Sequence, residues 1–539
     1  MIEDGPVTAP FDRRTFLQRS SLAAGALTGG VGADRASDNS QDTGGGAAFP
    51  VYNGKAFGAH GDGRALDTGA LQHAIDAAAA AGGGVAYVPP GTYLTGTLQI
   101  RSRVTLYLEA GATLAASPRR EDYQFGCLIY AEDAPDIALS GRGTVEGGGP
   151  NFWRRKADGT WTSRDWRPSE LLRFLRCPNL LLEDITLKDS PNWTVHSIDC
   201  DRVTIRGLSV INGLGDDDGP NTDGIMLDGC STVRVSDCFV QGGDDCIVLK
   251  CMQARTQVCR DVTVTNCVLI TSESGLKIGS DTYGEFYNIT FSNCAIRDAG
   301  CGIGLWMRDG GLVDGWTISN IAMTLTGGGQ PIYFWSHRRT DDTPWGTVRN
   351  VTISNLTATG DGGIFLSGVP DRYLENITLD TVRIHMRGAF ADKLHTDPPF
   401  PFPIWDHRRS PYDIYCRYVK NLALRHIHFT RAEPEHAEWG GAIRCHNIDG
   451  LDIEGFLGRQ SHGSDAPVID LRNVKDAFVR GCRAPAGTGT FVHVGEGTSG
   501  VSLMNNDLRK ATAASHVTGG VSPAELYESG NRRPSRSPR

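Results

Sequence analysis

The chain has 539 residues and a formal net charge of −9, from 53 basic and 62 acidic side chains. This length exceeds that of a usual single-core domain, so either several domains or one elongated, repetitive domain is expected. The negative charge argues against nucleic acid and against an anionic membrane surface as the main partner. Glycine, with 67 residues, lies well above its usual share, which indicates many turns and short strands.

The amino-terminal segment has the pattern of an export signal. Arg13 and Arg14 precede a short, weakly apolar stretch that ends at Ala33. These features predict a twin-arginine signal over residues 1–33 and a polar linker over residues 34–49. No segment reaches the roughly 18 uninterrupted apolar residues of a membrane helix. We therefore expect a secreted or periplasmic protein without a membrane partner; the alternative is an unstructured tail with two adjacent arginines by chance.

A motif of short alternating runs recurs along the rest of the chain. The runs begin at Val104, Ile137, Ile185, Val203, Val233, Val262, Ile289, Trp316, Val351, Ile377, Leu422 and Leu451. A repeat of about 25–30 residues, with three short strands and three turns, is typical of one coil of a parallel β-solenoid, whereas a propeller blade needs about 40. The sequence therefore predicts an all-β fold, a single right-handed parallel β-helix over residues 50–520. A short helix over residues 70–81 would cap its amino end.

Fourteen cysteines accompany this repeat. Because Cys238, Cys267 and Cys294 follow matching runs, stacked buried thiols are predicted rather than disulfides; a bridge between Cys246 and Cys251 is the alternative. No pair of cysteines has the CxxC spacing of a structural zinc site. The polar carboxyl terminus, residues 521–539, is predicted to be a disordered tail.

Two acidic motifs interrupt the apolar repeat. Asn221-Thr-Asp223-Gly is followed by Gly243-Asp244-Asp245, and the 21 residues from Asp223 to Asp244 are close to one coil. The two motifs should therefore lie side by side on adjacent coils, where like charges raise the pKa of at least one carboxyl group. An acid with a raised pKa beside ionised partners is what glycoside hydrolysis requires. Each motif alone fits a calcium site or a solvated turn; together, at this spacing, they favour catalysis.

The sequence resembles glycoside hydrolase family 28, the polygalacturonase family, whose marks are the Asn-Thr-Asp and Gly-Asp-Asp motifs. The resemblance extends over roughly residues 50–510 and includes the run Ser190-Pro-Asn-Trp-Thr-Val-His196. It implies hydrolysis with inversion, in which Asp244 is the general acid and Asp223 and Asp245 activate the water. Inversion leads us to expect acid and base carboxyl groups about 6.5–9.5 Å apart. We expect neither a metal nor another cofactor.

Two further marks of the family are replaced in this chain. Ser274 stands where the histidine of the Gly-His-Gly motif would be, and it is a candidate for substrate contact at that place. Gly304 and Trp306 replace the two basic residues of the Arg-Ile-Lys motif. In the family those cations hold a galacturonate carboxylate. Glu273 adds a negative charge where a neutral or positive group is usual. That change favours a less acidic sugar, or one bound through its hydroxyl groups, and Trp306 is a candidate for stacking on a sugar ring.

Four other side chains are candidates for substrate contact. Strand alternation from position 304 would turn Arg308 into the same cleft, where a guanidinium could pair with a carboxylate; its alternative is a surface ion pair with Asp309. Lys277 is a second cation, although alternation from Ser274 would turn it away. His196 and His337 flank the acidic motifs by one or more coils, but a lone histidine is more often a satisfied hydrogen bonder.

The segment from residue 385 to 420 interrupts the repeat and is rich in proline. A long irregular loop in a regular solenoid is more often functional than accidental, so we expect it to close one end of the cleft and make the enzyme exo-acting. The predicted partner is a polysaccharide or oligosaccharide, bound by a monomer. The alternatives are an exo-glycosidase that releases a neutral sugar such as rhamnose, a calcium-dependent polysaccharide lyase, and a carbohydrate-binding solenoid without catalysis.

Overall fold

The computed structural model describes residues 50–213, 219–253, 256–387, 411–433, 435 and 439–533. The predicted export signal and linker, and residues 388–410 of the predicted cleft loop, lie outside these residues. Within the described part, no helix combines the length and the apolar character needed to cross a membrane.

The described chain winds into coils that each contribute one strand to three parallel sheets, here named A, B and C. Sheet A begins with Val51–Asn53, Gly84–Val88, Val104–Leu108, Ile137–Gly141, Leu180–Glu183, Asp201–Arg206, Ser231–Ser236 and Val258–Thr265. Sheet B begins with Asp62–Leu66, Gly91–Thr95, Ala112–Ala116, Thr144–Glu146, Thr186–Lys188, Ser209–Ile211, Phe239–Gly242 and Val268–Thr271. Sheet C begins with Leu98–Gln99, Cys127–Glu132, Glu170–Leu175, Trp193–Ile198, Ile225–Asp228, Ile247–Cys251 and Ser274–Thr282.

Several of the later strands are longer and bend from one sheet into the next. They are Glu285–Met307, Leu312–Ser336, Thr347–Gly360, Ile364–Ser367, Leu374–Met386, Ile414–Arg425, His428–Arg431, Ile443–Glu454, Ile469–Arg480, Thr488–Val494, Ser499–Met504, Ala511–Val517 and Leu526–Ser529. An antiparallel pair, Trp153–Arg155 with Trp161–Ser163, projects from the coils. Short 3-10 helices are Gly54–Phe57, Arg120–Asp122, Gly149–Phe152 and Pro523–Glu525.

The repeat predicted from the sequence is the pairing register of sheet A. Val203 pairs with Val233, Val233 with Val262, and the column continues coil by coil to Ile377. These side chains are buried, because inward-pointing apolar residues stack on their equivalents one coil away. The predicted run at Ile185 is an exception: its strand, Thr186–Lys188, lies in sheet B. The fold is thus the predicted all-β, parallel β-helix.

Sheet C carries several residues of the candidate site. Its inward column is buried and consists of Val195, Ile225, Ile247, Leu276, Ile303 and Ile332 on successive coils. The neighbouring outward column is His196, Met226, Val248, Lys277, Gly304 and Tyr333. Since successive side chains of a strand point to opposite faces, this second column lies on the outer surface of the sheet.

The ends of the solenoid differ in how well they were predicted. The helix Thr68–Ala80 lies close to the predicted range, and its buried residues, which include Leu71 and Ile75, join the core at the first coils. The predicted disordered tail is wrong as far as residue 533. The strand Leu526–Ser529 pairs in parallel with the strand Ser499–Met504, so the solenoid continues past residue 520.

All fourteen cysteines are buried and unbridged. Cys238, Cys267 and Cys294 lie directly before paired strands of sheet B, so they fall on consecutive coils as predicted. The alternative bridge between Cys246 and Cys251 is not formed. The cysteines therefore act as small apolar residues of the core.

Candidate active site

The two acidic motifs occupy the turns that lead into neighbouring strands of sheet C. Asp223 precedes Ile225–Asp228, and Asp244 and Asp245 precede Ile247–Cys251. The amide of Gly224 donates to the carbonyl oxygen of Asp245 at 2.9 Å, so the hydrogen-bond ladder of the sheet extends into both turns. One carboxylate oxygen of each aspartate lies within 4.8 Å of one from each of the others. The predicted meeting of the two motifs is found in the structure.

The spacing of these carboxylates differs from the prediction. Oxygens within 4.8 Å are closer than the 6.5–9.5 Å expected between the acid and the base of an inverting enzyme. The reason is the register: Asp223 lies level with Asp245, and Asp244 is the adjacent residue of the same turn. Adjacent coils bring such residues together at about the 4.8 Å distance between neighbouring strands.

Short hydrogen bonds tie the two turns to each other. The hydroxyl of Thr222 accepts from the amide of Gly243 at 2.9 Å and donates to the carbonyl of Gly219 at 3.1 Å. Oδ1 of Asp244 accepts from the amide of Asp245 at 2.9 Å, and the side-chain amide of Asn221 lies 3.4 Å from Oδ2 of Asp244. The carboxyl group of Asp244 is therefore oriented from both coils.

Two lysines of sheet C form ion pairs in this region, one with a clustered aspartate and one with Asp281. Nζ of Lys277 lies 2.7 Å from Oδ2 of Asp245, and Nζ of Lys250 lies 3.2 Å from Oδ2 of Asp281. Each ammonium also faces an indole. Lys277 is 4.3 Å from the ring centroid of Trp306, and Lys250 is 5.4 Å from that of Trp193.

Burial and charge together raise the pKa of two of the three carboxyl groups. The pKa of Asp223 is raised well above its ordinary value, first by burial and then by the charge of Asp244, with Lys250 opposing the shift. The pKa of Asp244 is also raised, first by burial and then by Asp245. Because the charge of Asp244 contributes to the raised pKa of Asp223, the two carboxyl groups interact. Repulsion, the cause expected from the sequence, is second to burial.

The three aspartates line an open cleft of about 270 Å³. Its other walls are Trp193, Asn221, Lys250, Glu273, Lys277, Ser280 and Trp306. Of the predicted substrate-binding residues, Lys277 and Trp306 therefore belong to the cleft. Leu276 and Ile278 point into the core, so strand alternation turns Lys277 outward into the cleft. The sequence-based expectation that alternation from Ser274 turns Lys277 away from the cleft is wrong, because Ser274 is itself buried. Val248 lies in the outward column, and the same alternation turns Lys250, two residues later, outward as well.

Ser274 and His196 are not placed for substrate contact. Ser274 is buried, and its carbonyl oxygen accepts from the amide of Cys246 at 2.8 Å within the sheet ladder. His196 is buried between two carboxylates: Nδ1 lies 3.1 Å from Glu170, and Nε2 lies 3.6 Å from Asp228. Burial opposes protonation of His196, but Asp228 and Glu170 prevail and raise its pKa. His196 is thus an internal ion-pair residue.

Arg308 and His337 lie beyond the ends of sheet C strands. The strand Glu285–Met307 stops before Arg308, whose amide donates to the hydroxyl of Thr282 at 2.9 Å. The alternative pairing of Arg308 with Asp309 is not formed, because Arg339 holds Asp309 at 2.6 Å. The Nε atom of Arg308 is buried without a hydrogen-bond partner, and burial followed by the charge of Arg339 lowers its pKa. His337 packs edge-on against Trp335 at 4.7 Å.

Known proteins resemble this chain in sequence and in fold. Residues 86–395 match the model of glycosyl hydrolases family 28. A "probable polygalacturonase" of Vitis vinifera is 32% identical over 216 residues, which are 36% of this chain and 43% of that protein. The chain spans between 41% and 61% of the length of four such plant relatives.

Two solved structures share the fold over most of their length. The exopolygalacturonase from Thermotoga maritima superposes with a TM-score of 0.56 at 22% identity, over 62% of this chain and 87% of that one. The family 28 exopolygalacturonase of Yersinia enterocolitica gives 0.52 at 17% identity, over 72% and 79%. Since the family model matches more than half of the chain, the resemblance noted in the sequence is confirmed. The chain belongs to glycosyl hydrolases family 28.

Proposed function

We propose that this protein is an exported glycoside hydrolase that cleaves glycosidic bonds in galacturonic-acid-containing pectic polysaccharide. The observation that carries the proposal is the meeting of Asp223, Asp244 and Asp245 in an open cleft walled by Trp193 and Trp306. Family membership and the names of the plant relatives support the substrate class. The protein would act as a monomer, without metal, cofactor or nucleic acid.

Asp244 is the proposed general acid. It is the least buried of the three aspartates, and its raised pKa leaves it a proton to donate to the leaving oxygen. Asp245, which pairs with Lys277, would accept a proton from the attacking water. Two oxygens within 4.8 Å of each other can both accept from one water molecule, so Asp223 would help to hold it. The hydroxyl of that water would bond to the anomeric carbon as the glycosidic bond breaks.

Inversion is part of the proposal, and the carboxylate spacing makes it open to a direct test. The family resemblance implies an inverted product, whereas close carboxyl groups are typical of retaining enzymes. Proton NMR of the first product, recorded before the anomers equilibrate, distinguishes the two outcomes. A retained configuration would contradict water activation and would make Asp223 or Asp245 a nucleophile.

Arg308 remains the proposed cation for a substrate carboxylate. Lys250 and Lys277 form ion pairs with Asp281 and Asp245, whereas the buried Nε of Arg308 has no hydrogen-bond partner among the described residues. Substitution Arg308→Met should raise KM for oligogalacturonides several-fold with kcat little changed. The matched control is Arg176→Met, which removes a guanidinium from an exposed pair with Asp133. An unchanged KM in Arg308→Met would remove Arg308 from the proposal.

A second candidate is an exo-glycosidase that releases a neutral sugar. It is favoured by the replacement of two basic residues with Gly304 and Trp306, since an indole stacks on a sugar ring without requiring a charge. A calcium-dependent lyase is disfavoured. Burial opposes protonation of Lys277, but the charges of Asp245 and Asp244 prevail and raise its pKa. Its ammonium therefore stays protonated and cannot serve as a base. The same positive charge repels a divalent cation.

The deciding experiment is a screen of pectic oligosaccharides with products identified by mass spectrometry in heavy-oxygen water. Hydrolysis adds the heavy oxygen to a galacturonate product, a neutral monosaccharide product supports the second candidate, and unsaturated products show elimination. Early products of one size would support exo action, and a ladder of sizes would contradict it.

Substitution Asp244→Asn should abolish turnover while binding persists. Binding without turnover in the unsubstituted protein would overturn the hydrolase. Export is tested by fractionating the cells that make the full chain.

A further inference from the structure

Lys277 lies in the candidate site and forms an ion pair with one of its aspartates. It stands in the outward column of sheet C between Val248 and Gly304, with its Nζ 2.7 Å from Oδ2 of Asp245. Only 14% of its side chain and 3% of that of Asp245 are exposed. An ammonium held in this way is not free to bind a substrate carboxylate, the role that the sequence suggested.

Trp306 covers this ammonium, and Gly304 provides the room for it. The indole centroid lies 4.3 Å from Nζ of Lys277. A Cβ atom at residue 304 would lie 2.2 Å from Cζ3 of the indole, so any larger residue there would displace the ring. The two positions where the family has basic residues therefore shield one ion pair in this chain. Exclusion of water strengthens that pair.

The surrounding charges show what the ion pair does. The charged and titratable groups that face it, from the coils on either side, are Asp223, Asp244, Lys250, Glu273, Asp281 and Cys301. Lys277 and Lys250 carry two positive charges against the three clustered aspartates. Lys277 lies against Asp245, and the raised pKa values of Asp223 and Asp244 leave the proton needed for acid catalysis on those two carboxyl groups.

We propose that Lys277 is a positioning residue whose ammonium holds the carboxylate of Asp245 in place as the base, with Trp306 as its shield, and that this charge sets the pH range of the enzyme. This inference rests on the proposed hydrolytic function. It differs from a substrate-binding role because it predicts a change in the pH profile and in kcat rather than in KM.

The first test is the pH–rate profile of Lys277→Met on the oligosaccharide that the unsubstituted protein hydrolyses. Loss of the charge should move the acid limb upward by about one pH unit and lower kcat at least tenfold, with KM nearly unchanged. Lys277→Arg keeps the charge and should leave the limb in place. Trp306→Leu, which opens the pair to water, should move the limb in the same direction by less. An acid limb that does not move in Lys277→Met would overturn the proposal. Where that variant does not fold, an acid limb that does not move in Trp306→Leu would do the same.

A second test needs no substrate. Melting temperatures of the full chain with and without Lys277→Met are compared at pH 4 and pH 7. A charge role predicts a larger loss at pH 7, where more of the carboxyl groups facing position 277 are ionised; lost packing alone predicts equal losses and would overturn the proposal. Lys475→Met, an exposed lysine, is the control. If the unsubstituted protein hydrolyses no pectic oligosaccharide, the proposed function fails, and this comparison still decides the electrostatic role of Lys277.

Discussion

The guanidinium of Arg167 donates a hydrogen bond to Oδ1 of Asn221 at 2.9 Å, across 54 residues of chain. It also donates to the carbonyl oxygens of Pro220 at 2.6 Å and Pro191 at 3.3 Å. Asn221 has a left-handed backbone, with φ of 60°, and lies two residues before Asp223. Arg167 therefore holds in place the turn that presents one of the three clustered carboxylates.

Substitution Arg167→Met should impair catalysis more than stability. Without the guanidinium the turn can move, and a displacement of about 1 Å at a catalytic group costs on the order of a hundredfold in rate. We expect kcat to fall by about this factor, with circular dichroism unchanged. Arg176→Met, which breaks an exposed pair with Asp133, is the matched control and should retain near-normal kcat. A normal kcat in Arg167→Met would show that the turn keeps its position without this residue.

Substitution Asp223→Asn should stabilise the fold while it reduces activity. Because the folded-state pKa of Asp223 is raised, stability is lost as pH rises from the unfolded-state pKa, near 4, through the folded-state pKa. The neutral amide does not lose this stability. The melting temperature should therefore rise at pH 7 and change little at pH 3.5, with activity reduced about a thousandfold. A lower melting temperature at pH 7 than that of the unsubstituted protein would contradict the raised pKa.

Asp413 should make the later coils pH-sensitive. This buried carboxylate lies 2.6 Å from Arg431, yet burial outweighs that pairing and raises its pKa to about 6. Its protonated form is thus favoured in the folded state, so stability present below about pH 4 is lost as pH rises through 6.

Substitution Asp413→Asn removes this dependence. The neutral amide resembles the protonated carboxyl group, so the variant should gain about 3 kcal/mol in free energy of unfolding relative to the unsubstituted chain between pH 3.5 and pH 7. Denaturant unfolding at both pH values measures this, with Asp341→Asn as an exposed control. A variant that loses stability relative to the unsubstituted chain between pH 3.5 and pH 7 would contradict the assignment.

The fourteen cysteines should behave as core residues. Each is buried and unbridged, so a colorimetric thiol reagent should react with few in the folded protein and with all fourteen in denaturant. Reducing agent should leave the melting temperature unchanged. Twelve thiols in denaturant would reveal one disulfide and contradict the stacked arrangement.

The sequence by itself determined the solenoid, because one side-chain type recurs at one place in every coil. Val203, Val233 and Val262 are one column in the structure, and the interval between repeats was sufficient to predict it. It also identified the acidic cluster, since Asp223 and Asp245 are one coil apart and a regular coil superposes such residues. The run at Ile185 was grouped with this column although its strand lies in sheet B, because neighbouring strands carry the same alternating pattern.

Only the tertiary structure decided which side chains complete the site. Whether Lys277 faces the cleft depends on which neighbour is taken as the inward reference, and burial supplies that reference: Leu276 points inward and Ser274 is enclosed. Arg167 reaches Asn221 from a distant segment whose path no local pattern describes. The position of Trp306 over Lys277 depends on the empty space at Gly304. Local periodicity determines a coil, whereas contacts between coils depend on packing in three dimensions.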